Sequence, residues 1–322
     1  MNEEIISQLK VMRSQECGPY ACRDYFCQQR YDSTKCEFGT SASQQSAPLC
    51  PVSRRKMIEW CNQVVDHCDF DRESVAIAVS YLDRFLMTKS GVPALHDSNT
   101  FQLVAMTCLY TAIKLFESEV IDPKIVSQLS RGTYTEKDVT DMEMVILSAL
   151  QWRVQPPTAV AFVRHFLALA DLGERAKNLI IEVSGAQIEN AITNYDFVGT
   201  KPSLVAAASI LNTIRLMGRA LLPDGSRCSL ILALVEHGSN RLIYGKDMKE
   251  TRDKLLNTVR EKEVSNEQQS AACEVSSPSA LKYFQENRAA SPICVEKGPT
   301  YFMGSVASSF SNALQVGGQL WS

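Results

Sequence analysis

Residues 98–117 read SNTFQLVAMTCLYTAIKLFE, and the reading of this stretch decides the fold. Neither Gly nor Pro interrupts it, so it is predicted as one helix, with Ser98 or Asn99 available to cap its start. Leu103, Val104, Ala105, Met106, Leu109, Tyr110, Ala112, Ile113, Leu115 and Phe116 nearly encircle it. A helix that is apolar all round is buried on all sides. Gln102, Thr107, Thr111 and Lys114 interrupt the apolar surface, and the stretch is too short for a good membrane span. Other helices must therefore wrap around it, and Lys114, near its end, needs an exit or a partner.

The flanking sequence supplies those helices. Met57, Ile58, Trp60, Cys61, Val64 and Val65 recur at helical spacing over 52–68, and Val75, Ala78, Val79, Leu82, Phe85 and Leu86 do so over 72–88. Gly91 and Pro93 end that segment. A short helix over 123–130 opens with Asp122 as cap and Pro123 in its first turn. Another, over 135–150, opens with Thr135 and Asp138, a capping box with Asp for the usual Glu. Gln155-Pro156-Pro157 then breaks the chain.

A second set follows, with helices predicted over 158–170, 173–192, 202–219, 226–237 and 244–260. Its third member again stands out: KPSLVAAASILNTIRLM, 201–217, is nearly all apolar or small, and Ala206, Ala207 and Ala208 let neighbours approach closely. No sustained period-two alternation marks a strand. The expected fold is all-α: tandem five-helix bundles with an N-terminal helical extension and a disordered C-terminal tail. Residues 1–51 form the extension, helical around Ile5, Ile6, Leu9 and Met12 and again from Tyr20 to Gln29, then a polar linker. The first bundle spans 52–155 and the second 156–260. Residues 261–322, rich in Ser, Gln, Ala and Gly, offer little apolar surface to offset ordering entropy and read as disordered. Ser277 and Ser291, each before a proline, are candidate phosphosites in that tail.

Composition narrows the function. The chain has 322 residues, 45 % hydrophobic and 21 % charged, with a formal net charge of −3. That is an ordinary globular balance, without the basic face of a nucleic-acid binder. The start MNEEIISQLK is acidic and lacks the basic start and apolar run of a signal peptide, and no apolar run reaches the ~18 residues of a membrane span. The 11 cysteines are expected as reduced thiols. Cys17, Cys22, Cys27 and Cys36 cluster early, but their spacing lacks the close CxxC pairs of a zinc site, so no metal is expected. GxxxxGK[ST], GxGxxG, HExxH and GxSxG are all missing, and His67, His96, His165 and His237 are scattered. No cofactor and no catalytic residue is expected, and the balance moves toward a binding module.

What remains are charges set among apolar residues. Arg54 begins one helix and Asp83 lies on or beside the apolar stripe of the next; a charge facing a core must be paired, and these two are natural partners. Lys114 and Glu143 each sit in a mostly apolar helix, either as a surface salt bridge or as contacts for a partner.

The motifs SRRKMIEW (53–60), AVSYLDRFL (78–86), LVAMTCLYTAIKLFE (103–117), MEMVILSALQWRV (142–154) and KPSLVAAASI (201–210) resemble the cyclins, loosely nearest the D-type. The resemblance implies a regulatory subunit that binds and activates a cyclin-dependent serine/threonine kinase in cell-cycle control, located in nucleus and cytoplasm, with no chemistry of its own. It implies that Arg54 and Asp83 form a structural ion pair, and that Lys114, Glu143, Leu147, Trp152 and Val154 bind the kinase. Met57, Trp60, Gln63 and Gln102 match a groove in which relatives dock substrates or inhibitors. Ser53, Lys56 and Gln63 replace apolar or acidic residues there, so a weakened groove is expected. The alternative is a transcription-associated adaptor on the same fold, but such adaptors carry a zinc ribbon and basic faces that this sequence lacks. Neither nucleic acid nor membrane is an expected partner.

Overall fold

The computed structural model describes residues 2–26, 49–119, 121–219, 222–238 and 245–258, and these form helices with no strand among them. Helix α1 (Asn2–Cys17) precedes the first bundle of α2 (Pro51–His67), α3 (Glu73–Leu86), α4 (Val92–His96), α5 (Ser98–Phe116), α6 (Pro123–Leu129) and α7 (Glu136–Ala149). The second bundle holds α8 (Ala159–Leu169), α9 (Glu174–Thr193), α10 (Pro202–Leu216), α11 (Asp224–Gly238) and α12, residues 246–258. The predicted linker, the tail with Ser277 and Ser291, and Cys27 and Cys36 lie outside the described residues.

Each bundle is built around its third long helix. In α5 every residue from Val104 to Ile113 is buried, and in α10 the run from Val205 to Ile210 is buried. Fully burying a Leu, Ile or Phe side chain contributes roughly 1.5–3 kcal/mol. The small residues Ala206, Ala207 and Ala208 let α9 and α8 pack closely on α10.

Three expectations are corrected. Asp97, not Ser98 or Asn99, caps α5: its backbone is extended and its carboxylate accepts from Thr100 N at 2.7 Å. The hydrogen bonds from Thr100 hold the Asp97 carboxyl below its usual range. The segment after α3 is not simply terminated by Gly91 and Pro93; a 3-10 turn, Lys89–Gly91, leads straight into α4. Gly91 is required there because a Cβ would collide with the Phe85 carbonyl at the end of α3. Finally, α5 is not buried on all sides. Its last turn emerges, leaving Leu115 and Phe116 48 % and 42 % exposed. The other caps match the sequence: Asp122 accepts from Lys124 N, and Thr135 and Asp138 form a reciprocal capping box.

The extension ties the two bundles together. Leu9 of α1 is buried in the second core. Glu16 accepts from both the backbone N–H and the hydroxyl of Ser203, in the first turn of α10. Helix α10 has no side-chain cap of its own at Lys201, so α1 supplies the acceptor and the favourable charge for its N-terminal dipole. Farther on, Tyr25 and Phe26 enter the first core, and Tyr195 of the second bundle accepts from both of their backbone N–H groups.

Arg54 joins three of these parts. Its Nε and Nη2 donate to the two carboxylate oxygens of Asp83 at 2.8 and 2.7 Å. Tyr25 OH donates to the same carboxylate at 2.9 Å, and Arg54 Nη1 donates to the Ile192 carbonyl of α9 at 2.9 Å. The guanidinium is 2 % exposed. Burial works against its charge, but Asp83 and its hydrogen bonds more than offset that and raise its pKa.

Asp83→Asn is expected to lower unfolding free energy by about 3–5 kcal/mol, because it leaves a buried guanidinium without its anion. Arg54→Met with Asp83→Leu is expected to cost far less; denaturant titration compares the two. A second expectation concerns Glu16, whose carboxyl is raised by burial against the lowering effect of its Ser203 bonds. A raised acid is protonated at higher pH in the folded state than in the unfolded state, so the folded form gains as pH falls. The stability of the wild type relative to Glu16→Gln should therefore rise as pH falls from neutrality toward 4.5.

Candidate functional site

Lys114 and Glu143 meet where the last turn of α5 crosses the middle of α7. Lys114 Nζ lies 3.1 and 3.3 Å from the two carboxylate oxygens of Glu143. Glu143 is 7 % exposed, while Lys114 reaches solvent. Thr111 Oγ1 stands 3.3 Å from Glu143 Oε1, and the Lys114 ammonium lies 5.5 Å from the centre of the Tyr110 ring. Burial pulls the Lys114 pKa down, but its bond to Glu143 and that group's charge more than offset this and raise it. In the seam between α5 and α7 the carboxylate is held by the Thr111 hydroxyl and by the Lys114 ammonium, which reaches solvent. A ligand that approached could share or take over either group.

Exposed apolar side chains lie near this pair in sequence. Leu115 and Phe116 follow Lys114 at the exposed end of α5, and Met144, beside Glu143 on α7, is also exposed. Beyond α7, Trp152 is 61 % exposed, the largest such side chain of the group. It sits in an unusual turn: Gln151 and Trp152 have φ of 54° and 56°, the left-handed region that non-glycine residues avoid at a cost of about 1–3 kcal/mol each. The turn is held by bonds from Gln151, Trp152 and Arg153 N–H groups to the carbonyls of Ser148, Leu147 and Leu150. The turn leaves a tryptophan in water, and Leu115, Phe116 and Met144 are three further exposed apolar side chains of the first bundle.

Of the other residues assigned to this surface, Leu147 is buried beneath it. Val154 is half-buried, and its carbonyl accepts from Tyr81 OH. The expected docking groove fares differently. Met57 and Trp60 are buried in the first core and offer little area to a ligand. Gln102 accepts from Tyr134 OH at 2.9 Å, and the carbonyl oxygen of Gln63 is buried without a hydrogen-bond partner. Gln63 and Gln102 are half-buried, so of the four positions the polar ones are those that reach the surface. Among the described residues no group of three or more His, Cys, Asp or Glu is placed to hold a metal ion. The Cys22 thiol is pushed up to about 12 by burial and then by the charge of Asp83, so it stays neutral. Sequence reading missed Leu115, Phe116 and Met144 as surface residues, since helical periodicity cannot tell where a central helix leaves its bundle. It also missed Tyr25 as the third member of the Arg54–Asp83 cluster.

Comparison with known proteins bears on this arrangement. The family model for "Cyclin, N-terminal domain" matches residues 22–155, and that for "Cyclin, C-terminal domain" matches residues 157–226. The chain is 29 % identical over 163 residues to Cyclin-A3-3 of Arabidopsis thaliana, covering 50 % of this chain and 48 % of that protein. It is 31 % identical over 166 residues to Cyclin-B2-1 of the same plant, covering 52 % and 37 %. It is 25 % identical over 162 residues to G1/S-specific cyclin-D1 of Bos taurus, covering 50 % and 53 %. The matched stretch thus spans about half the length of these relatives or less. The solved structure of a viral cyclin from Herpesvirus saimiri superposes with a TM-score of 0.54 at 18 % identity, covering 66 % of this chain and 88 % of that one, and shares the fold. The two family models fall in tandem on the two helical bundles and together cover more than half of the sequence, and the chain belongs to the cyclin family.

Proposed function

We propose that this cyclin is a regulatory subunit that binds a cyclin-dependent serine/threonine kinase through the Lys114–Glu143 face and activates it. The observation that carries the reading is the half-open ion pair between Lys114 and Glu143, with Leu115 and Phe116 exposed at the same end of α5, Met144 exposed on α7 and Trp152 exposed just after it. A buried carboxylate and a reachable ammonium give directional, desolvated hydrogen bonds; the apolar side chains give area and exclude water. Such a surface performs no reaction. It acts by holding one conformation of its partner better than another, which for a kinase means the state with its own Lys–Glu ion pair in place. The role belongs to cell-cycle control, with the protein in nucleus and cytoplasm. Substrates or inhibitors that relatives dock on the first bundle would meet at most a weakened site here, given the burial of Met57 and Trp60.

Lys114→Ala with Glu143→Ala removes both charges at once, so no unpaired carboxylate is left in the seam. The double variant should keep a melting transition close to that of the wild type. It should co-purify with the kinase at an affinity lower on the order of tenfold or more, with matching loss of kinase activation. Affinity capture with quantified kinase activity measures both, and full binding and activation by the double variant would sink the assignment of this face.

A further inference from the structure

Helix α3 carries a second buried arginine beside the Arg54–Asp83 cluster. Arg84 is 4 % exposed, and its contacts are carbonyls and rings rather than a carboxylate. Its Nη2 donates to the Arg153 carbonyl at 2.9 Å and its Nε donates to the Ser80 carbonyl at 3.1 Å. The guanidinium carbon lies 4.5 Å from the ring centre of Tyr20 and 5.7 Å from that of Tyr81. Tyr81 in turn donates its hydroxyl to the Val154 carbonyl. The two carbonyls that follow Trp152 are therefore both held by α3, one by Arg84 and the other by Tyr81. These anchors lie just beyond the two left-handed residues, Gln151 and Trp152.

Tyr20 belongs to the N-terminal extension, and its ring face is what that segment offers to the guanidinium. An ammonium or guanidinium drawn out of water recovers from such a face part of what it has lost in hydration. Without the ring, water would reach the guanidinium and compete with the Arg153 carbonyl for its protons. Segment 20–26 is itself fixed: Arg23 N–H points at Met87 Sδ at 3.1 Å, and Tyr25 donates to Asp83. The extension thus arrives at Arg84 already ordered.

We propose that Tyr20 and Arg84 are positioning residues: the N-terminal extension, through the Tyr20 ring on Arg84, holds the 151–154 turn in the form that presents Trp152 to the kinase. This rests on the reading of the Lys114–Glu143 face as the kinase-binding surface. It makes residues of the extension determinants of partner affinity through α3, whether or not they touch the partner.

The test separates the two readings. Amide hydrogen exchange at Gln151, Trp152 and Arg153 is measured in the free full-length chain for wild type, Tyr20→Ala, Tyr20→Phe and Arg84→Lys. The same four proteins, and Trp152→Ala, are titrated against the co-purifying cyclin-dependent kinase. Tyr20→Ala should speed exchange at these amides on the order of fivefold to tenfold and weaken kinase binding by a similar factor. Tyr20→Phe, which keeps a ring, should restore most of both. Arg84 is buried and its variant is the more prone to misfold, whereas Tyr20 is half-exposed, so its truncation leaves no cavity in either core. Unchanged exchange at 151–153 in Tyr20→Ala overturns the positioning role. Faster exchange with kinase binding as tight as wild type in both Tyr20→Ala and Trp152→Ala overturns the kinase-facing role of the turn.

Discussion

The buried bidentate pair between Arg54 and Asp83 is the constraint on which the arrangement of the parts depends. A guanidinium taken out of water must be compensated at each of its donors, and the compensation here comes from three directions. Asp83 on α3 supplies the anion, the Ile192 carbonyl on α9 takes a third donor, and Tyr25 of the extension adds a donor to the carboxylate. Neither bundle could satisfy Arg54 alone. The pair therefore specifies which face of the first bundle meets the second. It does so through directional bonds, which apolar packing between two helical bundles does not provide.

The extension works by the same logic at two further points. Glu16 caps α10, whose own first turn has no side-chain acceptor, and Tyr20 covers Arg84 on α3. A polar network does a related job inside the second bundle: Gln187, Asn212, Thr213 and Arg252 bond one another between α9, α10 and α12. Satisfied buried networks of this kind fix helix register, because a one-residue shift would strand several donors at once. The Lys114–Glu143 pair stands apart from them. Its carboxylate is buried and its ammonium is reachable, so the pair is open to solvent on one side.

Much of the fold was legible in the sequence. Apolar periodicity located the long helices to within a few residues, and Asp122, Thr135 with Asp138, and Pro202 marked starts that the structure keeps. The misread cap at Asp97 has a simple cause: Asp, Ser and Asn stand in succession, and backbone geometry rather than residue type chooses among them. Gly91 was read as a stop signal, whereas its lack of a side chain serves the close passage of the chain over Phe85. The groove at Met57 and Trp60 could not be judged from spacing, since whether an apolar residue faces a core or a peptide depends on which helices pack over it.

The sequence by itself determined that the chain is helical, that it holds two bundles each with a buried central helix, and that Arg54 must find Asp83. Those conclusions follow from periodicity and from the cost of an unpaired charge in an apolar face, both of which act locally or leave one partner to choose. Only the tertiary structure decided that the last turn of α5 leaves the core, that Trp152 is turned outward by two left-handed residues, and that Arg84 is held by rings and carbonyls. Each of these depends on the angle at which one helix crosses another and on a backbone turn between them. Residue identities leave such geometry open until the whole set of helices is packed.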